Sequence, residues 1–271
     1  MVSSTTNFIM GGKLGDFIQS LYAVKNICKQ TNTKANLYLC DIGWEFGINN
    51  TYTELYPIIL QQDYINTFNI LPKESYTLDP VQTPHQNSPI VIHDRQLRGE
   101  GYIYLGEYLC SPLLYRACWS ELYSDLYRFS IEGSYKWIEY IGLDPTLKDR
   151  ILIQRKAATR TNDLFPYEQI IEEYGEKLLF VSSNESDYDV FPFKSKVEFR
   201  KVTTLDEWFT SINSCEMIIA NLSAPAAIAH AFDKLRIIEL PFTEDANHCI
   251  GEEKYSKNIY WYLHPDYNNL T

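Results

Sequence analysis

The chain has 271 residues, 45% of them hydrophobic, enough to bury one large core or the cores of two domains of about 130 residues each. Its formal net charge of −11 excludes a general binder of nucleic acid or anionic membrane, because phosphate backbones demand a basic surface. Any phosphate it binds has to meet a local basic site.

The N-terminus MVSSTTN lacks the basic and apolar regions of a signal peptide, and no apolar run reaches the ~18 residues of a membrane span, so a cytoplasmic protein without a transmembrane segment is expected. Cys28, Cys40, Cys110, Cys118, Cys215 and Cys249 are scattered and form no CxxC pair. They read as reduced core thiols rather than disulfides or zinc ligands.

In chain order, NFIM (7–10) reads as a strand, and Phe17, Ile18, Leu21, Val24, Ile27 and Cys28 recur at helical spacing after it. ANLYLC (35–40) reads as a second strand and PIVIHD (89–94) as a later one, a βαβ pattern that implies a parallel sheet. The Asn-, Tyr-, Pro- and Gln-rich stretch 42–88 has no legible period. LLYRACWSELYSDLYRF (113–129) looks helical, and YKWIEYIGLDP closes at Gly142 and Pro145, which puts a boundary near 142–149.

The pattern then restarts. Strands are expected at 150–155, 177–183, 197–202, 216–221 and 235–240, and helices at 166–175, 204–214 and 225–232, with Thr204 and Glu207 spaced as a capping box. No fixed-period repeat and no low-complexity tract is present.

Three stretches carry chemistry. In IMGGKLGDF, Gly11, Gly12 and Gly15 lie at a strand-to-helix turn on the carboxyl edge of a parallel sheet, the edge where open α/β sheets bind ligands. Lys13 is followed by Leu14, not Ser or Thr, so this is no Walker loop, and the GxGxxG dinucleotide fingerprint is absent. Asp16 serves there as a helix cap, as a general base at the mouth of a cleft, or as both. In RILIQRKAATRTNDLFP, Arg150, Arg155, Lys156 and Arg160 crowd a strand end, which suits a diphosphate or forms a solvated charge cluster. In EMIIANLSAPAAIAHAF, the helix opened by Pro225 has free NH groups that, with the Ser223 hydroxyl, suit a phosphate; a plain capped turn has the same sequence features. Asp187 and Asp189 share the Asp-x-Asp spacing of metal-dependent transferases, but their acidic turn reads as solvated. His93 is read as a structural residue or a ligand contact, and His230 as a packing or hydrogen-bonded residue.

In their order and spacing these stretches resemble the two-domain GT-B glycosyltransferases, most closely the heptosyltransferase-like family 9. The resemblance covers roughly 7–40 and 150–240. It implies an α/β fold of two Rossmann-like parallel-sheet domains facing across a cleft. Residues 1–145 would form the acceptor domain and 146–271 the nucleotide-sugar donor domain, with a returning C-terminal helix packing back toward the first. GGKLGD matches the family's Gly-Asp step, so the resemblance makes Asp16 the base that activates an acceptor hydroxyl. It further implies donor contacts from Gly12, Lys13, Gly15, Arg155, Lys156, Arg160, Asn221, Ser223 and Ala224, and acceptor contacts from His93, Asp94 and Arg95. The family's Asp-Thr-Gly then His is replaced here by Asn221-Leu222-Ser223-Ala224-Pro225. The expected activity is inverting, metal-independent transfer from a nucleotide-diphosphate sugar to a glycan or glycoconjugate hydroxyl, with no cofactor beyond the nucleotide-sugar co-substrate and no metal ligands. A fucosyltransferase-like enzyme, a nucleotide-sugar epimerase and a non-catalytic sugar-nucleotide or glycan-binding module are the alternatives.

Overall fold

The computed structural model describes residues 4–78, 90–114, 116–131, 136–157, 161–241 and 247–262. The chain forms two compact units. The first takes residues up to Leu114 with Ser120–Glu132 and Trp137–Glu139; the second takes everything from Tyr140 onward with the short pieces Tyr115–Trp119 and Gly133–Lys136.

In chain order the elements up to residue 130 are β1 (Thr5–Met10), α1 (Leu14–Thr31), β2 (Lys34–Leu39), α2 (Ile48–Ile59), β3 (Ile65–Ile70), β4 (Tyr76–Leu78), β5 (Ile90–Ile92), α3 (Arg95–Glu100), β6 (Ile103–Tyr104) and α4 (Trp119–Tyr127). The first sheet is parallel, in the order β3-β2-β1-β6. Helix α1 buries its apolar face and ends where Asn32 turns left-handed and its N–H returns to the Cys28 and Lys29 carbonyls.

PIVIHD departs from the expectation. Its strand β5 pairs antiparallel with β4 in a separate two-stranded sheet, because Ile90 and Ile92 pack with Ile9, Ile42, Leu71 and Leu97 in a small cluster. The illegible 42–88 stretch contains α2, β3 and β4; residues 79–89 lie outside the described set. The helical reading of 113–129 holds only from Trp119, and 136–144 forms no regular element. Side chains hold that connector instead. Gln62 brackets Glu139 through its backbone N–H and carbonyl (2.8 and 2.9 Å), and Trp137 Nε1 donates to the Ile18 carbonyl (2.9 Å).

The second unit adds β7 (Ile151–Gln154), α5 (Tyr167–Tyr174), β8 (Leu178–Ser182), α6 (Glu185–Asp189), β9 (Glu198–Lys201), α7 (Leu205–Ser214), β10 (Met217–Asn221), α8 (Ala224–Ala231), β11 (Arg236–Glu239) and β12 (Ile259–Tyr262). They form one six-stranded parallel sheet in the order β12-β11-β10-β7-β8-β9. Strands β7, β8 and β10 are buried along their whole length, as central parallel strands covered on both faces must be, and their sequences ILIQ, LLFVS and MIIAN are accordingly apolar without alternation. The Thr204–Glu207 capping box forms in full at the start of α7. Ile259–Tyr262 of the aromatic C-terminal segment form β12, an edge strand parallel to β11; the rest of that segment, where the returning helix is expected, lies at 263–271, outside the described set. Among the described residues no helix is long and apolar enough to cross a membrane, and Cys28, Cys40, Cys118, Cys215 and Cys249 are buried free thiols. Burial pushes the Cys28 thiol up to about 11 and those of Cys40 and Cys215 to about 12, so they stay protonated at neutral pH.

Candidate functional site

Strand order locates the candidate site in each sheet. The first sheet grows from β1 through β2 to β3 on one side, and β6 then joins β1 on the other. The second grows from β7 through β8 to β9, and β10 then joins β7 on the opposite side. Loops leaving the two strands at such a reversal part to opposite faces and open a crevice at their carboxyl ends, where α/β sheets take ligands.

In the first unit the loop after β1 is the glycine turn. Gly12 has φ 124°, a region that favours glycine, and its N–H bonds the Ile42 carbonyl at 2.6 Å. A Cβ on Gly11 would sit 2.6 Å from Cys40 Sγ, so the turn closes tightly over the end of β2. Lys13 is the N-cap residue and is exposed, with no side-chain cap; Gly15 and Asp16 follow in the first turn of α1, half-buried. Asp16 is therefore not the N-cap, although a carboxylate in a first turn still complements the helix dipole. Tyr108 lies on the segment after β6, the other strand of the reversal, and burial and then the Asp16 charge hold its hydroxyl well above the usual phenol range.

The acceptor residues inferred from sequence lie between the end of β5 and the start of α3 in this unit. Asp94 caps α3, its Oδ1 accepting from the Gln96 and Leu97 amides at 2.9 Å each. His93 Nε2 lies 3.0 Å from Thr77 Oγ1, and Arg95 is exposed at the start of α3. Asp94 is thus occupied with helix capping, the cause of its place before RQLRGE.

In the second unit the segments after β7 and β10 flank the reversal. Asn221, fully buried, takes the Lys156 N–H on Oδ1 (3.2 Å) and gives Nδ2 to the Lys156 carbonyl (3.1 Å), extending the β7–β10 pairing past the strand ends. Asp187 continues the clamp: Oδ1 accepts from the Ala157 amide (3.1 Å) and Oδ2 from the Ser182 hydroxyl (2.8 Å). Asp189 pairs instead with Lys194, so the Asp-x-Asp turn is not merely solvated, and its two carboxylates serve different partners. The Ser223 hydroxyl donates to Gln154 Oε1 (2.6 Å), with the Asn221 carbonyl 3.0 Å away, and so is engaged within the fold. Ala224 opens α8, with Pro225 in its first turn. Lys156 is exposed beside this helix start, while Arg160 lies outside the described residues.

Arg155 has a protein partner that its sequence context does not show. Its Nε lies 3.1 Å from both carboxylate oxygens of Glu239, a residue with 0% exposure at the end of β11. Glu239 also accepts from the Asn162 amide (2.5 Å) and the Tyr167 hydroxyl (2.7 Å). The guanidinium side chain is only 12% exposed and also lies 3.6 Å from exposed Asp163. Arg155 is the counter-ion of a buried carboxylate. Burial and the neighbouring Glu239 charge hold the Tyr167 hydroxyl well above its usual range, so it remains a donor. Glu239 was legible only as an acid ending an apolar strand, in LRIIEL; Tyr108, in LGEYLC, carries no sequence signal.

Compared by sequence, the chain matches no protein-family model and no curated relative. Solved structures do match. The glycosyl transferase family 9 protein from Veillonella parvula aligns at TM-score 0.53 and 10% identity, over 98% of this chain and 88% of its own. E. coli heptosyltransferase WaaC with ADP-2-deoxy-2-fluoro heptose aligns at 0.55 and 10%, over 97% and 94%. The iron-containing dodecameric glycosyltransferase TibC from enterotoxigenic E. coli aligns at 0.57 and 10%, over 97% of this chain but 63% of its own, so the chain spans under two thirds of TibC. At such identities the likeness shows the fold. The chain resembles GT-B, with two Rossmann-like parallel-sheet domains.

Proposed function

We propose that the protein is a glycosyltransferase that moves a sugar from a nucleotide-diphosphate donor to an acceptor hydroxyl of a glycan or glycoconjugate. The observation that carries this reading is that Asp16, in the first turn of α1, and Lys156, on the loop after β7, each follow a strand at the reversal point of their own sheet. The GT-B resemblance agrees with it. Asp16 removes the proton of the acceptor hydroxyl as its oxygen attacks the anomeric carbon, and the bond from that carbon to the diphosphate oxygen breaks with inversion. The departing diphosphate meets the Lys156 ammonium and the amides opening α8 at Ala224, with Asn221 and Asp187 holding the backbone of 156–157 in place. Arg155 acts through its hold on Glu239, and the positive charge at the site requires no metal ion. Gly12, Lys13 and Gly15 shape the approach to Asp16.

Thermal-shift screening of the full chain against nucleotides and nucleotide sugars tests the reading. A nucleoside diphosphate and its sugar conjugate should each stabilise the folded chain by about 2.7 kcal/mol at a hundred times Kd, and so raise the melting temperature. No shift with any member of the panel contradicts it.

A further inference from the structure

In the second unit, donors from separate parts of the chain converge on one carboxylate. Glu239, fully buried at the end of β11, lies 3.1 Å through each oxygen from Arg155 Nε, takes the Asn162 N–H on Oε1 at 2.5 Å and the Tyr167 hydroxyl on Oε2 at 2.7 Å. The guanidinium carbon of Arg155 stands 5.7 Å over the Tyr167 ring, which packs on Phe165 at 4.6 Å and on Phe191 at 5.1 Å. Arg155 directly precedes Lys156 and Asn162 follows it, so one side chain on β11 takes hold of the chain on both sides of Lys156. Strand β10, which pairs with β11, ends in Asn221, the residue that bonds the Lys156 amide and carbonyl.

Stability alone gives no reason for an ion pair in this place, because well-packed apolar residues of similar volume hold a core as well or better. Apolar residues cannot fix the direction of a backbone amide, and a neutral amide side chain has one acceptor oxygen where this carboxylate uses two. We propose that Glu239 is a positioning residue for Lys156: by holding Arg155 and the Asn162 amide it sets where the Lys156 ammonium meets the departing diphosphate. The inference rests on the reading of Lys156 as a diphosphate contact. Glu239 itself stays off the ligand, being buried and bonded to protein donors. Its pair with Arg155 carries no net charge, which leaves the diphosphate to Lys156 and the amides opening α8.

The test is titration calorimetry of the full chain with ADP, CDP, GDP, UDP and dTDP. The pair variant Arg155→Ala with Glu239→Gln loses one charge of each sign, so its net charge equals that of wild type. Measured below its own melting temperature, its affinity for the nucleoside diphosphate that wild type binds best should fall about tenfold, as in Lys156→Ala. Adding Lys156→Ala to the pair variant should cost no further affinity, since the pair acts through Lys156. Tyr167→Phe keeps the ring and removes one donor; it should lower the affinity about threefold, again with no further loss beside Lys156→Ala, and it decides the matter if the pair variant does not fold. In the free pair variant, or in Tyr167→Phe if the pair variant does not fold, the Lys156, Ala157 and Asn162 amides should exchange about tenfold faster relative to those of β8. A lowered melting temperature with wild-type affinity, a loss that adds in full to that of Lys156→Ala, or unchanged amide exchange overturns the proposal. Wild-type affinity in the pair variant beside weakened binding by Lys156→Ala defeats the positioning role alone. Wild-type affinity in Lys156→Ala, or no binding of any of the five by wild type, defeats the reading of Lys156 and the positioning role with it.

Discussion

Replacing Arg155 by Ala tests whether this cation faces a ligand or serves the fold. A solvated cation is lost at almost no cost, within about 0.5 kcal/mol. Here the lost group supplies the charged donor to a carboxylate with 0% exposure, leaving Glu239, among the described residues, with the Asn162 amide and the Tyr167 hydroxyl. Removing one partner of a buried pair costs about 3–5 kcal/mol. For a unit of this size that lowers the melting temperature by about 10 °C. Glu239→Gln should be destabilising as well, because among the described residues it leaves the guanidinium the exposed Asp163 as its one carboxylate, beside the Tyr167 ring. In the double variant the two losses should fall short of additivity by about 2 kcal/mol. Calorimetry and urea unfolding of the four proteins measure both quantities. A melting temperature within about 1 °C of wild type in Arg155→Ala, or additive losses, would refute the counter-ion assignment and return Arg155 to the ligand.

Lys156→Ala should leave the melting temperature unchanged and weaken nucleoside diphosphate binding about tenfold in a salt-dependent way; equal affinity by titration calorimetry would make Lys156 a bystander. Asp187→Ala should cost about 1–3 kcal/mol through the Ala157 and Ser182 bonds, whereas Asp189→Ala, which breaks an exposed pair, should stay within about 0.5 kcal/mol. Turnover should survive excess EDTA, and activity lost to EDTA and restored by Mn²⁺ or Mg²⁺ would make the two aspartates ligands after all. Burial, and then the Arg236 charge, hold the His230 pKa well below 6.5. The unfolded chain therefore takes up a proton below about pH 6.5 that the folded chain refuses, so stability is full above that pH and falls below it, by at most about 1.4 kcal/mol per pH unit. Urea midpoints from pH 7 to 5 in wild type and His230→Gln should diverge accordingly, and parallel curves would exclude His230 as the source.

The second unit was legible because each of its strands is an apolar run bounded by a clear helix signal: ILIQ, LLFVS and MIIAN lie where expected, and Thr204 with Glu207 marks α7. The glycine turn was legible for the same reason. The first unit's later half was not. IVI carries strand propensity but no sign of its partner, and it pairs antiparallel with YTL through a local cluster. Residues 136–144 look helical in composition, yet Gln62 and the Trp137 indole tie the connector through bonds to residues more than seventy positions away. At the site, composition placed cations at the end of β7 but could not reveal that Arg155 answers Glu239, eighty-four positions on. Asn221 likewise reads as a ligand contact, and nothing in the sequence shows that it also holds the Lys156 backbone.

The central claim is that Asp16 is the base of a sugar transfer from a nucleotide donor. It is tested most directly by following nucleoside diphosphate release by wild type and Asp16→Asn, with the nucleotide sugar that stabilises the protein best and a panel of glycan acceptors. Acceptor-dependent release should fall by two or more orders of magnitude in Asp16→Asn, with the fold and nucleotide affinity retained, in line with the usual contribution of a general base. Equal release by the two proteins would contradict the claim.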